Sequence, residues 1–205
     1  QQQLLRVDFE TQPGHEVLAA KLEAYGQLLA DCDVVVLSDY GKGGLTHVTR
    51  MIALARAANK PILIDPKGDD WARYAGATLI TPNRSEFREV AGSWKSEAEL
   101  ADKAAAVRRQ FDFDALLVTR SEEGMSLFDA TGAHHEPTRA QEVFDVSGAG
   151  DTVIAAYAVA LAAGAGGIEA MRLANRAAGI VVGKFGTAVA SADEVFAADF
   201  IGEGA

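Results

Sequence analysis

Short, unbroken apolar runs alternate with longer stretches in which apolar positions recur every three or four residues. The runs are residues 34–37, 61–65, 77–80 and 115–119. Each is too short for a helix and shows no polar alternation, so each reads as a strand buried on both faces of a parallel sheet. Between them, helical spacing covers 15–30 (apolar Val17, Leu18, Leu22, Tyr25, Leu28 and Leu29), 46–58 with Thr46 as its cap, 84–91 and 96–110. Residues 4–9, LLRVDF, alternate well enough for a further strand. After Thr119 the pattern changes. Residues 124–128 and 133–136 predict a hairpin around Asp129-Ala130-Thr131-Gly132. Two long helices, 150–163 and 168–184, close the chain across a Gly164-Ala165-Gly166-Gly167 turn.

Strands alternating with helices predict a three-layer α/β/α domain with a mainly parallel sheet. No internal repeat or linker divides residues 1–205. Sheets of this kind bind ligands outside the carboxyl ends of their strands. Four polar segments follow strands here, SDYGKGG, DPKGDD, TPNRSE and TRSEEG, and they should line one edge.

Composition narrows the chemistry. A chain of 205 residues, 49% hydrophobic, suffices for one folded domain with a real core. The net charge of −10 argues against a nucleic-acid footprint. A small anionic substrate stays possible, because a local cationic pocket can sit on an acidic protein. The single cysteine, Cys32, excludes a disulfide framework, fits a reducing cytosol and reads as a buried bystander. His134 and His135 are neighbours on a predicted strand and should face opposite ways, so they are not a metal pair. No apolar run approaches the ~20 residues of a membrane span. Trp71, Trp94 and the phenylalanines read as packing.

The segment DVSGAGDTVIAAY carries the strongest chemistry. Ser147-Gly148-Ala149-Gly150 precedes a helix with almost no side chains, so a ligand can approach the backbone closely. The first amides of a helix lack internal partners and the dipole there is positive, which favours an oxyanion. Asp151 follows in the first turn, where a carboxylate can take the proton of an attacking hydroxyl.

This segment closely resembles the D-[ST]-x-G-A-G-D signature of the ribokinase (PfkB) carbohydrate kinases. SDYGKGGL, ILIDPKG, TLITPNRSEF, LLVTRSEEGMSL and AAGIVVGKFGTAVAS follow the order expected for that family across nearly the whole chain. Together they resemble the branch of D-glycero-β-D-manno-heptose-7-phosphate 1-kinases. The resemblance implies ATP and Mg²⁺ as cofactors and Asp151 as catalytic base, with Gly148, Ala149 and Gly150 as an anion hole for the transferring phosphoryl group. Asn83 and Glu86 of NRSE match the family's N-x-x-E motif, which organises Mg²⁺, its waters and nucleotide phosphates. The same residues also fit a helix capping box. Arg84, Ser85, Thr119, Arg120, Gly124 and Asn175 are the remaining expected nucleotide contacts, with residues 184–187 bordering adenine.

For the acceptor, Asp39, Tyr40 and Lys42 of SDYGKG and Asp65 and Lys67 of DPKG are the candidates, against plain local salt-bridging. A lysine on a glycine loop at a strand end suits a phosphate. Family members begin with a Gly-Gly sugar-binding motif and a small β lid that often makes a dimer. Neither is found here, so residues 1–205 are expected to be the C-terminal major part of one kinase domain, homodimeric when the lid is present. The implied activity is phosphorylation of the anomeric 1-hydroxyl of heptose 7-phosphate in the cytoplasm, toward ADP-heptose and the lipopolysaccharide core. Two alternatives stay open: another ribokinase-like sugar or nucleoside kinase, and a nucleotide-binding fragment without turnover. A P-loop kinase and a Rossmann dehydrogenase are disfavoured, because neither glycine pattern occurs at the right place.

Overall fold

The computed structural model describes residues 9, 11–139 and 143–197. The strand expected over 4–9 therefore lies outside the described residues, apart from Phe9. In chain order the elements are α1 (His15–Leu28), β1 (Val35–Ser38), α2 (Val48–Ala57), β2 (Ile62–Asp65), β3 (Leu79–Ile80), α3 (Arg84–Ala91), α4 (Glu97–Phe111), β4 (Ala115–Thr119), β5 (Met125–Asp129), β6 (Gly132–Glu136), α5 (Ala149–Ala162), α6 (Gly167–Val182) and α7 (Ala192–Phe196).

The strands form one six-stranded sheet in the order β1-β2-β3-β4-β5-β6. β1 to β4 run parallel; β5 and β6 are the expected hairpin and run antiparallel. Successive strand residues point to opposite faces, and the two cores show it. Ile62, Ile64, Leu116 and Val118 belong to one core, against α2, α3 and α4. Leu63, Leu79, Leu117 and Leu127 belong to the other, against α5 and α6. This is why the runs in β2 and β4 carry no polar alternation: both faces are covered. Trp71 is fully buried and donates its indole N–H to the Gly68 carbonyl at 3.0 Å, and Trp94 stacks obliquely on buried Phe87. Cys32 is half-buried beside the first core.

Three local expectations are corrected. β1 is not buried on both faces: it is an edge strand of this sheet, with Val35 and Leu37 buried but Val36 exposed on the other face. Thr46 does not cap α2. Its hydroxyl donates to the Gly43 carbonyl at 2.6 Å, closing the preceding turn, and the helix begins after His47 with no side-chain cap. The short helix α7 was not anticipated from the apolar pattern; its start is a capping box in which Ser191 and Glu194 bond each other's backbone N–H. Among the described residues no helix is long and apolar enough to cross a membrane.

Candidate functional site

The carboxyl ends of β1, β2, β3 and β4 open on one edge, and each is followed by one of the polar segments. The SGAGD turn reaches the same edge from the other layer. Gly148 caps α5 at φ 78°, ψ 5°, a left-handed conformation natural to glycine. Asp145 accepts from the Ser147 N–H at 2.8 Å. Hydrogen bonding from Ser147 chiefly holds its carboxyl below the usual range. The Phe144 and Asp145 amides both donate to the Val182 carbonyl, at 2.8 and 3.3 Å. The Phe144 and Phe185 rings meet at 4.7 Å. The loop is thus stitched to the end of α6 and to the 183–187 segment. Of the proposed anion-hole amides, Ala149 donates to Val146 at 3.2 Å, and Gly150 follows in the first helical turn.

Asp151 stands exposed at this helix start, and Tyr40, 111 residues away, donates its phenolic O–H to the Asp151 Oδ1 at 2.7 Å. That hydrogen bond is the main reason the Tyr40 phenol holds its proton more tightly than usual. Asp65, at the end of β2, faces the same space. Burial chiefly, then the charges of Glu86 and Asp151, push its carboxyl up to about 7, with Lys67 opposing. The Lys67 Nζ lies 3.9 Å from Glu86. Asp65, Lys67, Glu86 and Asp151 are therefore brought together.

Asn83 and Glu86 do form the capping box. Asn83 Oδ1 accepts from the Ser85 and Glu86 amides at 2.9 and 3.0 Å, and Glu86 returns a bond to the Asn83 N–H. The remaining oxygen of Glu86 points toward Lys67. Among the described residues no three acidic, histidine or cysteine side chains gather closely enough to hold a metal ion alone. One free carboxylate oxygen of Glu86, with the Asp65 carboxyl nearby, still suits a hard cation that keeps its waters and is carried in on phosphate.

A cavity of about 420 Å³ lies between the hairpin and α5/α6. Thr119, Gly124 and Asn175 line it, as does Gly150 of the helix start. Asn175 is buried and donates to the Pro137 carbonyl at 2.7 Å. Much of the remaining wall, Val143, Val146, Ala178 and Val182, is apolar and was not singled out from the sequence. As apolar residues they are indistinguishable in sequence from core packing.

Three expected contacts sit elsewhere. Arg120 is buried and does not reach this cavity; its guanidinium bonds Glu97, Glu123 and Ser126 beneath the hairpin. Arg84 pairs with Glu123. Asp39 is buried, accepting from the Tyr74 hydroxyl and the Gly41 amide at 2.8 Å each, with Arg73 at 3.6 Å. It anchors the loop rather than opening to solvent. Ser85 and Lys42 are exposed. Lys184 is ion-paired to Glu194 at 2.6 Å.

Comparison with known proteins follows the same lines. The pattern of the pfkB family carbohydrate kinases matches residues 11–194. The chain is 55% identical over 195 residues to the D-beta-D-heptose 7-phosphate kinase of Bordetella bronchiseptica, covering 95% of this chain and 62% of that protein. It is 51% identical over 195 residues to the bifunctional protein HldE of Vibrio parahaemolyticus, covering 95% of this chain and 41% of that one. The chain therefore spans 41–62% of the length of these two relatives. Among solved structures, phosphofructokinase-2 from Escherichia coli in complex with potassium superposes with a TM-score of 0.74 at 17% identity, covering 86% of this chain and 60% of that one. Ribokinase of Arabidopsis thaliana complexed with ribose and ATP gives 0.72 at 22% identity, covering 80% and 54%. These two likenesses establish the ribokinase-like fold. With the family pattern running over most of its length, the chain belongs to the pfkB family of carbohydrate kinases.

Proposed function

We propose that this chain is the nucleotide-binding and base-bearing part of an ATP-dependent kinase acting on D-glycero-β-D-manno-heptose 7-phosphate. The acceptor is its anomeric 1-hydroxyl, in a cytoplasmic step toward ADP-heptose and the lipopolysaccharide core. One observation carries the reading: the SGAGD turn sets Asp151 at the open strand edge, beside both an apolar-walled cavity and a group of carboxylates. A cavity of this size and lining suits a heterocyclic base. The glycine-lined helix start then faces the phosphates. Asp151 takes the proton of the acceptor hydroxyl as its oxygen attacks the γ-phosphorus, and the dipole and amides of α5 stabilise the charge that develops. Mg²⁺, held through water by Asn83 and Glu86 with Asp65 nearby, and carried in on the nucleotide phosphates, would neutralise charge on the transferring group. The names of the 55%- and 51%-identical relatives favour the heptose acceptor. Lys42 and Lys67 are the cations offered to its 7-phosphate. Homodimerisation through a lid contributed by the rest of the parent protein is part of the same proposal.

The test is coupled ADP release by this chain and by the parent protein, with Mg-ATP and heptose 7-phosphate, and with ribose and fructose 6-phosphate as controls. Turnover of the parent with the heptose alone is expected. Asp151→Asn in the parent should keep ATP affinity within a few-fold and lower kcat at least about a hundredfold. Near-normal turnover in that variant would refute the base assignment. Turnover with a control sugar instead would move the acceptor. ATP binding without turnover in the parent would leave only a nucleotide-binding module.

A further inference from the structure

The contact between Tyr40 and Asp151 places a hydroxyl where the acceptor's hydroxyl must arrive. The phenolic O–H donates to the Asp151 Oδ1 at 2.7 Å, the bond that an acceptor alcohol needs before it gives up its proton.

The loop beneath is built as a pivot. Asp39 is buried and tied to Tyr74, Arg73 and the Gly41 amide, while its own N–H donates to the Asp65 carbonyl at 2.9 Å. The Tyr40 side chain, one residue on, remains 58% exposed. A fixed backbone thus carries a solvent-exposed side chain whose recorded hydrogen-bond partner is Asp151. The adjacent Gly41, at φ 70°, allows the sharp turn that aims Tyr40 across the edge at α5.

Resting on the reading of Asp151 as base, we propose that Tyr40 gates the acceptor site: its phenol occupies the base until a sugar hydroxyl displaces it, and so suppresses transfer to water. In the suppressed reaction a water oxygen bonds to the γ-phosphorus. The bond from that phosphorus to the bridging oxygen breaks, the water proton passes to Asp151, and ADP and inorganic phosphate leave. An Asp151 already accepting from Tyr40 has one oxygen fewer to receive that proton. A sugar held by its own contacts outcompetes the phenol; water, held by nothing, does not.

The experiment uses the parent protein and measures ADP release from Mg-ATP alone, then ADP released per sugar phosphate formed with heptose 7-phosphate present. The wild type should couple the two one to one. In Tyr40→Phe, sugar-free ADP release should rise about five-fold or more, and the sugar KM should fall, because one hydrogen bond to a charged group no longer competes for the base. Tyr40→Ala should raise sugar-free release further. Unchanged sugar-free release in both variants would overturn the gate. A fall in kcat with coupling intact would also overturn it, by making Tyr40 a positioning residue for the base. Phosphate found on the Tyr40 peptide after incubation with Mg-ATP would overturn it too, since the tyrosine would then be an acceptor. Asp151→Asn in the same assay separates the two readings. If that variant loses turnover while Tyr40→Phe stays silent, only the gate fails. If Asp151→Asn keeps turnover, the base fails first.

Discussion

Gly124→Ala isolates one place where fold and site depend on the same atom. Gly124 ends the turn between β4 and β5 at φ 87°, ψ −128°, a region that essentially only glycine occupies. A Cβ there would lie 2.1 Å from the Glu136 carbonyl oxygen, 2.5 Å from the Thr138 nitrogen and 2.6 Å from the Pro137 carbonyl carbon. All three are backbone atoms, so no side chain can turn aside to make room. Backbone conformation costs ~1–3 kcal/mol, and forcing the end of β6 away costs a further ~1–3 kcal/mol. A total of about 4 kcal/mol is expected, or a drop of about 8–16 °C in Tm for a domain of this size. Gly68→Ala is the internal control. It also has positive φ, at +74°, but its Cβ would meet nothing within 4 Å. It should lose only about 1–2 kcal/mol, the left-handed penalty. Equilibrium urea unfolding of the three proteins compares them directly. Gly124 also lines the cavity next to Thr119, so displacement of 136–138 should weaken nucleotide binding in the part of Gly124→Ala that remains folded. Equal losses at both positions would refute the steric reasoning and leave conformation as the whole effect.

Other perturbations read other parts of the site. Asp65 is raised from its usual 3.8 to about 7. The folded chain therefore keeps a proton that the unfolded chain has lost, and stability falls as pH rises across that window. Asp65→Asn should flatten this slope in urea midpoints taken at several pH values, and an unchanged slope would assign it to another group. Arg120→Met should cost about 2 kcal/mol, from the lost charge-assisted bonds to Glu97 and Glu123, while the Ser126 hydroxyl keeps His135 as its partner. It should leave the KM for ATP alone, and a large rise in that KM would return Arg120 to the nucleotide site. Lys42→Ala in the parent should raise KM for a phosphorylated sugar and not for ATP; an unchanged sugar KM would remove Lys42 from the acceptor's phosphate.

The apolar runs and the glycines carried most of the architecture. Strands buried on both faces lose their polar alternation, so β2 and β4 were legible as central strands of a parallel sheet. The order of the hairpin and the two closing helices followed from their spacing. SGAGD was legible as a small-residue turn opening a helix with an acid in its first turn, and that helix start is there. N-x-x-E was legible as a capping box, and the box is there. Thr46 misled, because a hydroxyl before a helix can close the preceding turn as readily as cap the next element.

What the linear chain does not contain is which side chains meet. Arg120 and Asn175 look equally available in sequence. Packing sends one beneath the hairpin to Glu97 and Ser126, and sets the other in the cavity wall. Asp39 directly follows β1 and Asp65 ends β2, each ahead of a glycine loop. Tertiary contacts bond Asp39 to Tyr74, but they leave Asp65 facing Glu86 and Asp151, and that unlike company decides their chemistry. The meeting of Tyr40 with Asp151 joins residues far apart in the chain, between the loop after β1 and the start of α5. Local patterns set the elements, because propensity and burial act over a few neighbouring residues. Only the closing of the sheet between the two layers of helices brings the acid, the phenol and the cavity to one edge.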